Sequence, residues 1–117
     1  MTVNLAIIMG NVGRDPDIRP SRSGDDIANL SIATSDSWTD KRSGERVEKT
    51  EWHRVTVFNP HLVAVVRKYV KKGTKLYVEG TVQTRKWTDR DGVERHTTEV
   101  VIQRFGGRLD IVGQPNE

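Results

Sequence analysis

Between Asn59 and Gly73 lies the one stretch of this 117-residue chain whose apolar residues recur convincingly at helical spacing. Asn59 is a natural N-cap and Pro60 suits the first helical position, where its missing N–H costs nothing. Leu62, Val65, Val66, Tyr69 and Val70 then fall on one face, and Gly73 follows Lys71-Lys72 as a stop signal. The apolar residues on either side alternate, or run together as they do in strands.

Ahead of the helix, Val3 to Met9 is almost continuously apolar and ends at Gly10. Such a run fits a strand covered on both faces, and in a domain this small another subunit is available to cover the second one. Asn11 to Pro16 reads as a turn, Asp17 to Pro20 as a short strand, and Ser21 to Asp26 as a loop. Ile27 to Thr34 alternates, with Ala28, Leu30 and Ile32 directed inward. Val47 to Phe58 alternates as well: His53, Val55 and Val57 look inward, and Trp52, Arg54, Thr56 and Phe58 share the opposite face.

Beyond the helix, Lys75 to Trp87 and Arg95 to Arg104 form a long hairpin around Arg90-Asp91-Gly92-Val93, and Phe105 to Val112 supplies a short closing strand. Five main strands with one helix between the third and fourth match the OB-fold, a five-stranded Greek-key barrel, in an all-β chain with one helix. A β-sandwich is the competing architecture, and a single helix in that slot argues against it.

Only 34% of the residues are apolar and 30% are charged, so one economical core is expected, with no composition shift to divide it. The 19 Lys and Arg exceed the 16 Asp and Glu by three. Cations cluster at Lys41-Arg42-Arg46-Lys49, Arg67-Lys68-Lys71-Lys72-Lys75 and Arg85-Lys86-Arg90, which suits a polyanionic partner or a solvated surface. The absence of cysteine excludes disulfides, thiol nucleophiles and thiolate metal sites. The N-terminal apolar run is too short to span a membrane and has no cleavable leader, so a soluble, cytoplasmic protein is expected.

Three tryptophans occupy polar surroundings: Trp38 after Thr34-Ser35-Asp36-Ser37, Trp52 in Thr50-Glu51-Trp52-His53-Arg54, and Trp87 after Thr84-Arg85-Lys86. An indole beside arginine and lysine on a strand can stack on a base while the cations hold phosphates. Trp52, Arg54 and Phe58 along one strand face make a stacking rail with a phosphate clamp, and Trp87 near a hairpin tip makes a second platform. Trp38 has the parity of Leu30 and Ile32, so a bulge or the strand end is needed to turn it outward. Stacking accepts any base, which predicts sequence-tolerant binding of single strands, DNA or RNA, with no cofactor.

Several segments resemble the bacterial single-stranded DNA-binding protein (SSB) family. They are Gly10 to Arg19, Ala33 to Trp38, Thr50 to Val55, Tyr77-Val78-Glu79-Gly80, Thr84 to Asp89 and Thr97 to Val101. The resemblance implies an OB-fold homotetramer that coats single-stranded DNA in replication, recombination and repair, in the cytoplasm at the nucleoid. It puts the stacking aromatics at Trp38, Trp52, Phe58 and Trp87, and phosphate contacts at Arg19, Lys41, Arg54, Lys72, Arg85 and Lys86. It puts subunit contacts at His53, Tyr77 and Glu79. Leu5 and Gln83 depart from the family by standing where a basic residue is common. Residues 1–113 are expected to form the binding domain, with 114–117 a short remnant lacking the family's acidic tip, so tail-mediated partners do not carry over.

Two other classes compete. An OB-fold adaptor working through protein contacts would keep the barrel without needing the aromatics. An enzyme would need a catalytic constellation, and His53, His61 and His96 have neither metal-ligand spacing nor a nucleophile beside them.

Overall fold

The computed structural model describes residues 1–115. Seven strands and one helix follow in the order β1 (Ala6–Val12), β2 (Asp17–Pro20), β3 (Asp26–Thr39), β4 (Arg46–Val57), α1 (Pro60–Tyr69), β5 (Lys75–Thr88), β6 (Glu94–Ile102) and β7 (Arg108–Gly113). Five of the strands close a barrel in the order β1-β3-β4-β6-β5, sealed by β1 pairing antiparallel to β5 from Ala6↔Gly80 to Asn11↔Lys75. β2 is added to β3 and β7 to β5. Closure removes most of the exposed edges that an open sheet of this size would carry. This is the OB-fold that the element order predicts.

Alternation builds the core as expected on β3 and β4, where Ala28, Leu30, Ile32, Val55 and Val57 are buried. Leu76, Val78, Val100 and Ile102 meet them from β5 and β6, and α1 adds Val63 and Val66. Full burial of side chains of this size stabilises by roughly 1.5–3 kcal/mol each, which is how a chain with few apolar residues holds one barrel together.

Several element boundaries differ from the sequence reading. β1 runs from Ala6 to Val12 and not from Val3 to Met9, so Gly10 lies within a strand. A Cβ there would sit 2.1 Å from the Ala33 carbonyl oxygen, so this glycine permits close strand crossing instead of a turn. The helix ends at Tyr69, because Val70 turns extended and packs into the core. Gly73, at φ +95°, belongs to the turn that follows. At the other helix end Asn59 caps as expected, its Oδ1 accepting from the His61 N–H at 3.0 Å and the Leu62 N–H at 3.4 Å.

β3 also continues five residues past Thr34. It stays paired with β4 without a break in register from Ala28↔Val57 to Thr39↔Arg46. The two strands leave the barrel as an exposed arm, tied by Ser35 Oγ to Thr50 Oγ1 at 2.9 Å and by Arg46 Nη2 donating to Ser37 Oγ at 2.8 Å. A second arm is the β5–β6 hairpin, paired from Thr81↔Val101 to Thr88↔Glu94.

Its turn is held by Asp89, whose Oδ1 accepts the N–H groups of Asp91 and Val93 and whose Oδ2 accepts from Arg95 Nε at 2.9 Å. The Arg95 bond, then the Val93 bond, holds the Asp89 carboxyl below the ordinary carboxylate value. Gly92, at φ +79°, takes the left-handed position that closes the turn.

Candidate nucleic-acid interface

β4 and β6 run parallel and pair only from Val55↔Val100 to Val57↔Ile102. The strand face opposite the core carries Trp52, Arg54 and Thr56 on β4, with Phe58 just past its end, beside Asn29 and Ser31 of β3. On the second arm, parity places Arg85 and Trp87 of β5 on one face with Thr97 and Glu99 of β6. Arg19 of β2 and Arg14 of the β1–β2 turn complete the surface.

One depression of about 300 Å³ is lined by Arg19, Asn29, Thr56, Phe58, Arg85 and Glu99, among others. An adjoining one gathers Arg14, Arg19, Arg54 and Arg85. Four arginines therefore line one concavity, with Phe58 and Trp52 lining the depressions next to it. Asp17 holds Arg19 at 2.9 Å and Glu99 lies 3.5 Å from Arg85.

The aromatics are presented and not sealed. Trp52 is 60% exposed, Trp38 47%, Trp87 42% and Phe58 37%. One side of the Trp52 ring rests on the backbone of Gly13, where a Cβ would lie 2.2 Å from Cζ3. Trp87 is fixed across its arm by Nε1 donating to Thr97 Oγ1 at 2.8 Å. Both rings are thereby held in place with open surface, an arrangement that lowers the ordering cost of any stacking partner.

The expected residues do not all gather here. Trp38 pairs with Val47 in unbroken register, so it leaves the arm on the side opposite Trp52. Neither a bulge nor the end of the strand exposes it; the barrel stops before β3 does. Lys86 alternates away from Arg85 and Trp87 and pairs with Glu94 at 2.6 Å. Lys41 lies in the exposed turn of the first arm. Lys72 follows α1, its backbone N–H donating to Asp15 Oδ1 at 2.9 Å.

Arg14 lines the candidate site but is not singled out by the sequence reading. It sits in a turn with no periodic pattern, and only the fold brings it beside Arg54.

A sequence profile described as the Single-strand binding protein family matches residues 3–107. The chain belongs to this family. Single-stranded DNA-binding proteins of Rickettsia felis and Rickettsia typhi are 52% and 51% identical to it over 115 residues, 98% of this chain and 76% of each relative. Among solved structures, one described as the Plasmodium falciparum SSB complex with ssDNA superimposes with a TM-score of 0.87. The two are 34% identical, with 97% of each chain covered.

The residues assigned by resemblance to subunit contacts divide between two places. His53 is half-buried within the protomer, its Nε2 2.8 Å from Thr34 Oγ1. Tyr77 and Glu79 lie on the outer face of β5, where the registers Met9↔Tyr77↔Asp110 and Ile7↔Glu79↔Arg108 set three strands side by side. The Arg108 guanidinium stands 5.5 Å from the centre of the Tyr77 ring. Ile7, Met9 and Val112 are exposed on the same strands. Among the described residues, no helix is long and apolar enough to cross a membrane, and no group of three or more His, Cys, Asp or Glu could hold a metal ion.

Proposed function

We propose that this chain binds and coats single-stranded DNA without strong sequence preference, as a binding protein and not an enzyme. The carrying observation is the half-open Trp52 ring on Gly13, beside a concavity lined by Arg14, Arg19, Arg54 and Arg85. Bases stack on Trp52, Phe58 and Trp87 while those guanidiniums take the phosphates. Trp38 and Lys41 meet a strand passing round the first arm, and Lys72 and Lys86 add long-range attraction from the flanks. In a duplex the same base faces are consumed by the helix's own stack.

Residues 1–113 form the binding domain, serving replication, recombination and repair in the cytoplasm at the nucleoid. Four copies assemble, using the outer face that presents Ile7, Met9, Tyr77 and Glu79; the exposed apolar row there supports that surface. Direct competition tests the reading: a labelled 35-mer of dT is displaced by unlabelled single-stranded DNA of mixed sequence. Displacement by the matching duplex at equal concentration would overturn it. Single-stranded RNA in the same assay measures the DNA preference, and light scattering reports the number of copies.

A further inference from the structure

Glu99 is the most deeply buried acidic side chain among the described residues, at 9% exposure, yet it lines the depression that Phe58 shares with Arg19 and Arg85. A carboxylate beside the path of a polyphosphate opposes binding by simple Coulomb repulsion. Its burial adds a desolvation cost on top of that. Both penalties call for an offsetting role.

The contacts supply one. Glu99 Oε2 accepts a hydrogen bond from Thr56 Oγ1 at 3.2 Å, which ties the carboxylate to β4. Oε1 lies 3.5 Å from Arg85 Nε. Register places Glu99 opposite Gln83, so Arg85 is its diagonal neighbour on the same face of the second arm. The Nε engagement leaves both Nη groups of the guanidinium fork free to receive a phosphate.

We infer that Glu99 is a positioning residue for DNA binding. Fixed by Thr56, it holds the flexible Arg85 side chain in its phosphate-binding direction. The chain Thr56–Glu99–Arg85 links the barrel wall at β4 to the clamp of the second arm, so that Arg85 and Arg54 face one strand at a set separation. This inference rests on the single-strand-binding reading of that face.

A double-mutant cycle on the full chain tests it. The parent, Arg85→Ala, Glu99→Gln and the double variant are titrated with a dT oligonucleotide over a series of NaCl concentrations, and thermal unfolding is followed alongside. Glu99→Gln is expected to weaken binding several-fold and to reduce the log–log salt slope by about 0.7, the share of one phosphate contact. Arg85→Ala reduces the slope equally, and the double variant binds no more weakly than Arg85→Ala alone. A purely structural carboxylate would lower the melting temperature and leave the slope intact.

Tighter binding by Glu99→Gln, or additive losses in the double variant, would overturn the inference. Thr56→Val, which keeps the shape and removes the hydroxyl, is expected to move affinity and slope the same way, and decides alone if Glu99→Gln does not fold. Failure of the parent to bind dT would instead remove the single-strand reading itself.

Discussion

Trp52 lies against Gly13, close enough that a single methyl group on Gly13 would overlap the indole at 2.2 Å from Cζ3 and 2.6 Å from Cη2. The glycine in the β1–β2 turn thus acts on the binding face at a distance in sequence of 39 residues. Gly13→Ala must push the ring off its seat or shift the turn that carries Arg14. Its oligonucleotide affinity is expected to fall by about 1 kcal/mol, between the parent and Trp52→Ala, for which roughly 1–3 kcal/mol is expected. Equilibrium titration of the three proteins side by side checks the order.

Trp87 is expected to behave like Trp52, since its ring is fixed but open. Trp87→Ala should lose roughly 1–3 kcal/mol of affinity, about equally for dT and dC oligomers, because stacking reads the face of a base and not its edge. A loss confined to one base would mean that the indole takes part in edge recognition.

Arg54 and Lys86 separate the two faces of the arms. Arg54 lines one concavity with three other arginines, whereas Lys86 lies on the face of the second arm opposite Arg85 and is paired with Glu94. Arg54→Ala is expected to lower the salt slope by about 0.7, and Lys86→Ala to change it much less. Binding isotherms at several salt concentrations give both slopes.

The alternation of Leu30 and Ile32, and of Val55 and Val57, was legible in the sequence because each pair needs only the two-residue period and a core to face. Asn59-Pro60 likewise announced the helix by local chemistry alone. What stayed hidden depends on partners distant along the chain. Gly10 looks like a strand terminator until Ala33 is known to cross it, and Arg14 looks like turn polarity until the fold brings Arg54 beside it. Lys86 carried its answer in plain parity, since adjacent strand residues cannot share a face with Arg85, but a run of basic residues reads as one cluster. Trp38 turns outward for a reason no local pattern holds: the barrel wall ends before its strand does.

Asp89 provides a pH-dependent check on the second arm. Its native pKa is depressed, first by Arg95 and then by the Val93 N–H. Its contribution is therefore complete above the ordinary unfolded carboxylate value and is lost as pH falls through the lower native one. Asp89→Asn is expected to melt below the parent at neutral pH, with the difference shrinking on acidification below the usual carboxylate range. Calorimetry of the two proteins from neutral to acidic pH follows that convergence.

The core makes a blunter prediction. Leu76 is fully buried at the centre of the barrel, and Leu76→Ala should cost on the order of 2–5 kcal/mol of stability in urea unfolding.

Tryptophan emission during titration with a dT oligonucleotide at low salt tests the central claim most directly, because all three indoles are exposed and stacking on bases changes their surroundings. Strong, saturable quenching that is reversed by added salt and reduced in both Trp52→Ala and Trp87→Ala is the result expected. Emission that stays constant through saturating oligonucleotide would contradict the account.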